Sequence, residues 1–283
     1  PGSFASYEKP FHPDFLEWVK CRRPASGTVK HLFYACWIPD VFMNAVANDD
    51  EWYFFDPSTY PAVYSNYDSK ENKTLTDAYY EGIRELKYKK SVRAREVWNE
   101  IILTQIQTGM PYMCYSDTIN SKSNQKNVGM IHSSNLCAEI VEYSDSKEWA
   151  CCVLGTLCLP KYVMDGKFNY ELLATHAGKM AVNLNKIIDV NWYPTKETKT
   201  SNMRHRPIAI GIQGLADVFM MLRLPFASTE SRAINKKIAE VIYYGALRAS
   251  CDMAIKSKRP YRTFKGSPFS YGQLQFHHSQ LLL

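Results

Sequence analysis

Residues 204–222, RHRPIAIGIQGLADVFMML, run in the order charged turn, buried strand, glycine turn, helix. That is one βα unit: a short apolar run bounded by turn signals, then apolar residues at helical spacing. A long helix follows over 229–257, with Ser228 and Thr229 as candidate caps and Glu230 in the first turn. Its apolar stripe is Ile234, Ile238, Val241, Ile242, Leu247 and Met253, and Pro260 lies beyond its end. Strands alternating with helices point to an α/β fold with partly parallel strands.

The rest of the chain is read the same way. HLFYACWIPDVFM at 31–43 is a β and aromatic run that breaks at Pro39 and resumes as a helix over 39–47. Residues 50–71 carry two prolines and several Asp and Asn, which predicts a surface excursion. Tyr79, Ile83, Leu86, Val97, Ile101, Ile102 and Ile106 predict helix from 75 to 109, stopped by Gly109-Met-Pro111. Residues 111–127 are polar and loop-like; 149–163 are β-like; 169–188 are helical. No repeat of fixed period occurs.

Composition narrows the class. A chain of 283 residues suits one large domain or two, and 46% hydrophobic against 22% charged residues argues against disorder. The net charge of +6 comes from 34 basic and 28 acidic residues, too near balance to indicate nucleic acid. The densest basic run, KYKKSVRAR at 87–95, reads as a solvated helix face. No apolar run is long enough for a membrane span and no leader is visible, so the Asn72-Lys-Thr74 sequon is expected to be incidental. Eight cysteines, at 21, 36, 114, 137, 151, 152, 158 and 251, form no CxxC pair and fit free thiols in a reducing compartment. Gly211-Ile-Gln-Gly214 matches no phosphate-binding fingerprint and reads as a packing turn, and the seven histidines form no HxxxH.

One stretch carries candidate chemistry. In HSSNLCAEIVE at 132–142, Asn135, Cys137 and Glu139 alternate with Leu136, Ala138 and Ile140. As a strand or taut loop, this would put an amide, a thiol and a carboxylate on one face. On pattern alone, a half-buried strand with a wet outer face is the preferred reading.

Several blocks, in order, resemble the large catalytic subunit of class I ribonucleoside-diphosphate reductase of the eukaryotic and large-DNA-virus type. They are SNLCAEIVEY at 134–143, LNKIIDVNWYP at 184–194, SNMRHRPIAIGIQGLADVF at 201–219 and YYGALRASCDMA at 243–254. The resemblance implies part of a ten-stranded α/β barrel over residues 1–283, with 132–142 as the central finger loop. It implies Cys137 as the thiyl-radical residue, Glu139 as the base at the ribose 3′-OH, and Asn135, Leu136 and Glu139 as substrate contacts. Cys152, in DSKEWACCVLGTLCLP at 145–160, matches one cysteine of the reducing pair; here Cys151 stands where the family has an apolar residue and Val153 where it has a polar one. Pro1, Gly2 and Ser3 match the end of the effector-communication loop.

The resemblance further implies a ribonucleoside diphosphate substrate, ATP, dATP and other dNTP effectors, and a homodimer of large subunits. The expected partners are a small subunit with dinuclear iron and a tyrosyl radical, and thioredoxin or glutaredoxin as reductant. No metal or other cofactor is expected on this chain, nor any nucleic acid or membrane contact, and the location is expected to be cytoplasmic. The chain opens without Met, and the family's nucleotide-binding N-terminal region and C-terminal barrel part have no match in it, so an inactive central fragment is expected. Two other readings stay open: a non-radical redox-thiol or zinc protein, and an inactive homologue that binds reductase partners.

Overall fold

The computed structural model describes residues 2–24, 31–65, 74–85 and 90–277. The chain forms two compact units: Pro1–Tyr143 with Gly266–Leu283, and Ser144–Lys265. Pro1, Asn72 of the sequon, Leu86, the start of the basic run and the last six residues lie outside the described residues.

The first unit runs β1 (Phe4–Glu8), α1 (Phe15–Lys20), β2 (Leu32–Ile38), α2 (Asp40–Asn48), β3 (Glu51–Tyr53), α3 (Pro61–Ser65) and α4 (Leu75–Glu85). It continues with β4 (Ser91–Arg93), α5 (Ala94–Thr108), β5 (Tyr112–Tyr115) and α6 (Ser116–Ser121). β1, β2 and β5 make a parallel sheet with β2 central, in the register Tyr7↔Ala35 and Cys36↔Met113. The last five residues of β2 are all buried, as a strand covered on both faces requires. Pro39, extended at ψ 154°, ends β2 and caps α2, one residue from the expected start.

Three sequence expectations fail in this unit. Of the expected surface excursion at 50–71, the described residues 50–65 are anchored in the core: Trp52 and Phe55 are fully buried, and Trp52 stacks on Tyr79 at 4.5 Å. The Trp52 Nε1–H donates to the Pro10 carbonyl at 2.9 Å. Apolar side chains outweighed the surrounding turn residues. The expected helix over 75–109 is two helices separated by β4, which pairs antiparallel with β3. Arg93 of the basic run lies on that strand, 3.2 Å from Asp49 and 3.7 Å from Glu51, so the run is not one helix face. Third, 111–127 holds β5 and α6, where a loop was expected. Gly109, at φ 73°, does end α5 as its position predicts.

The second unit contains β6 (Leu154–Cys158), a 3₁₀ turn (Leu159–Tyr162), and the short hairpin β7 (Val163–Met164) and β8 (Lys167–Phe168). Then come α7 (Tyr170–Val190), α8 (Lys196–His205), β9 (Ala209–Gln213), α9 (Leu215–Met221) and α10 (Thr229–Ser257). β6 and β9 pair in parallel. The expected βα unit is present as β9–Gly214–α9, but its strand is not the buried one expected: Ala209 and Ile210 are half-buried and Gly211–Gln213 exposed, while Gly214 (φ 78°) turns tightly against Pro160. An added Cβ there would sit 2.6 Å from Pro160 Cδ, which bears out the packing turn. The Ser228 hydroxyl caps α10 by accepting from Ser231 N at 3.1 Å. α8 was not foreseen, because its buried stripe is polar: Thr198, Ser201, Asn202 and His205. Apolar periodicity cannot reveal such a helix. The described strands form sheets of three, two, two and two, and no closed barrel.

Candidate active site

The segment 132–142 lies between two polar anchors in the first unit. At its start, the buried Asn120 amide donates to the Ile131 carbonyl at 2.9 Å and accepts from Ile131 N at 2.7 Å. At its end, Tyr143 N donates to Gln125 Oε1 at 2.8 Å. These bonds satisfy backbone groups that a sheet would otherwise pair.

Between the anchors the chain is not the alternating strand that the sequence suggested. It turns at Leu136–Cys137, and Ala138 takes a left-handed conformation at φ 63°. The Asn135 side-chain carbonyl accepts from Ile140 N at 3.2 Å, and Ser134 Oγ donates to the Ile140 carbonyl. Part of the Asn135 amide therefore closes the turn and does not face outward. Cys137 and Glu139 are exposed, while Asn135, Leu136 and Ala138 are half-buried. Ala138 packs on the small core of Trp37, Cys114 and Ile131, which also receives Tyr7. The Tyr7 hydroxyl donates to the Asn135 carbonyl at 2.6 Å, and burial pushes its pKa up to about 12.

Cys151 and Cys152 belong to the second unit, on irregular backbone just before β6. Cys151 is half-buried, Cys152 exposed and Val153 buried. None of the eight cysteines is in a disulfide. Gly2 and Ser3 are exposed ahead of β1, and Pro1 lies outside the described residues.

Sequence reasoning missed Tyr7, Asn120, Gln125 and Glu142 around the turn. Glu142 is half-buried as a residue, but its Oε2 is sealed from solvent without a hydrogen-bond partner. Burial lifts its pKa to about 7. Only the position of Glu142 beside the motif could have pointed to it. Among the described residues no three His, Cys, Asp or Glu side chains are grouped to hold a metal, and no helix is long and apolar enough to cross a membrane.

The family model of the ribonucleotide reductase barrel domain matches residues 1–280. The chain is 47% identical over 280 residues to the ribonucleoside-diphosphate reductase large subunit of Caenorhabditis elegans, a match covering 98% of this chain and 35% of the relative. It is 44% identical over 279 residues to the large chain from Schizosaccharomyces pombe, covering 98% and 34%. It is 45% identical over 280 residues to the large subunit of Vaccinia virus (strain Copenhagen), covering 98% and 36%. The chain thus spans about a third of the length of these curated relatives.

Proposed function

Because the chain belongs to the ribonucleotide reductase barrel-domain family, we propose that it forms part of a large subunit that reduces ribonucleoside diphosphates to 2′-deoxyribonucleoside diphosphates by thiyl-radical chemistry. The carrying observation is the anchored turn that presents Cys137 and Glu139 to solvent beside Asn135. In this reading 132–142 is the finger loop of a ten-stranded α/β barrel. The parallel sheets β1-β2-β5 and β6-β9 contribute strands to that barrel. The remaining strands, the nucleotide-binding region and the other reducing cysteine lie outside this chain.

The resemblance to the family assigns these side chains the following roles. The Cys137 thiyl takes a hydrogen atom from C3′ of the ribose, becoming S–H and leaving a carbon radical. The Glu139 carboxylate accepts the 3′-OH proton while the 2′-OH leaves, protonated, as water. Asn135, whose amide nitrogen makes no hydrogen bond among the described residues, donates to a ribose hydroxyl. Cys152 and a second thiol supply two electrons and two protons, one proton to the departing water and one to C2′, and become a disulfide, while Glu139 returns its proton to the 3′ oxygen. Cys137 returns its hydrogen atom to C3′ and is a thiyl again. Thioredoxin or glutaredoxin reduces the disulfide, and a partner small subunit with dinuclear iron and a tyrosyl radical generates the first thiyl. The subunit is cytoplasmic, pairs with a second copy and responds to ATP, dATP and other dNTP effectors through a loop ending at Pro1, Gly2 and Ser3. Alone, this stretch is inactive.

The test is Cys137→Ser in a large subunit of the relatives' length, assayed with small subunit, effector and reductant. Deoxyribonucleotide formation should vanish while substrate affinity stays near the parent's, because Asn135 and Glu139 still make ground-state contacts. Turnover at the parent rate would overturn the thiyl assignment.

A further inference from the structure

Among residues 144–152 only Glu148 is buried, with 2% of its side chain exposed. The local turn does not require this. It is closed by Asp145, whose Oδ1 accepts from Lys147 N at 2.7 Å and Glu148 N at 2.8 Å, and whose N–H donates to the Glu148 carbonyl at 2.8 Å. The Glu148 carboxylate reaches instead to the last turn of α8. Oε1 accepts from Arg204 Nη1 at 2.8 Å, and Oε2 lies 3.2 Å from His205 Nε2, within ion-pair distance but without hydrogen-bond alignment. The far side of the imidazole is held by the Thr263 hydroxyl, 2.9 Å from Nδ1. Burial lowers the His205 pKa against the raising effect of Glu148.

The same segment is tied to the other end of α8, where Trp149 N donates to the Glu197 carbonyl at 3.3 Å. Five residues after Glu148, the Val153 carbonyl accepts from Ala209 N at 3.0 Å, and β6 begins its pairing with β9. The chain from Glu148 to Val153 is therefore fixed at both ends, and Cys151 and Cys152 are the thiols within the span. Sinking a carboxylate to 2% exposure is costly unless it is paired. A charge-assisted contact differs from an apolar one in being directional, so it fixes the register of the segment.

We infer that Glu148 is a positioning residue: held by Arg204 and seated beside His205, it sets where the span carrying Cys152 lies against α8, and so where the Cys152 thiol is presented. The inference rests on the reading of Cys152 as a reducing thiol. It assigns Glu148 no contact with substrate.

The experiment uses the holoenzyme, with a full-length large subunit carrying Glu148→Ala or, as a milder lesion on the same contact, Arg204→Met. Two quantities are read: steady-state turnover of a ribonucleoside diphosphate, and the iodoacetamide alkylation rates of Cys152 and Cys137, followed by peptide mass spectrometry. Misplacing a reacting group by about an ångström costs up to about a hundredfold, so kcat should fall about tenfold or more with KM unchanged. The Cys152 alkylation rate should shift by a factor of about five while that of Cys137 holds, and Glu148→Gln, which retains an acceptor for Arg204, should restore most of the turnover. If Glu148→Ala does not fold, Arg204→Met carries the same readouts. The inference is overturned if kcat and Cys152 alkylation stay at parent values in the folded variants, or if Cys137 alkylation and KM shift as much as their counterparts. Turnover surviving Cys152→Ser would overturn the role of that thiol, and the alkylation rates would still decide whether Glu148 positions it.

Discussion

The Tyr7 hydroxyl donates to the Asn135 backbone carbonyl at 2.6 Å, joining β1 to the turn that carries Cys137. The contact spans 128 positions in sequence, and the Tyr7 ring meets Trp37 edge-on at 6.1 Å. Because burial holds the phenol protonated to about pH 12, the donor persists across the working range. Tyr7→Phe keeps the ring and leaves the carbonyl short of a partner, at a cost of about 1–2 kcal/mol. The expected outcome is a lower thermal midpoint and a fall in turnover that is the same at pH 6.5 and pH 8.5. Parent-like stability and turnover would show that the turn holds its shape without this bond.

Glu142 predicts a pH dependence of stability. Its folded pKa of about 7 lies above the ordinary carboxylate value of 4.5 because burial disfavours the charge. The folded state therefore binds the proton more tightly. Below about pH 4.5 the group is neutral in both states and carries no ionisation penalty; as pH rises to 7 the penalty grows, reaching about 3 kcal/mol above it. Glu142→Gln should stabilise the full-length subunit by about 1–3 kcal/mol at pH 8 and change little at pH 4.5. Denaturant midpoints of the two proteins across that range check the slope, and equal slopes would rule the effect out.

Gly245 lies within α10 where the helix crosses α7. A Cβ there would fall 2.5 Å from the Ala174 carbonyl oxygen, a backbone atom that cannot swing aside. Replacing glycine by alanine in a helix interior ordinarily gains about 1 kcal/mol. Here overpacking should outweigh that gain, leaving Gly245→Ala less stable by about 1–2 kcal/mol. Chemical denaturation measures the difference, and a raised midpoint would refute the close crossing.

By itself, the sequence determined the elements whose instructions are local. The capped α10, the strand–glycine–helix unit at 209–221 and the break at Pro39 follow from side-chain period, cap chemistry and backbone restriction within a few residues. The cluster of Asn135, Cys137 and Glu139 was visible for the same reason, since three polar residues within five positions stay neighbours in any backbone. Only the tertiary structure decided the rest. Trp52 is buried because Phe42 of the preceding helix and Tyr79 of α4 close over it together, and α8 is buried through polar partners such as Glu148 and Thr263, which no apolar period encodes. The turn at Cys137 replaced the alternating strand because the backbone of 131–143 found its partners in Asn120, Gln125 and Tyr7 instead of in a neighbouring strand. Where backbone hydrogen bonds are satisfied by side chains far away in sequence, residue order cannot announce the conformation; the assembled fold sets it.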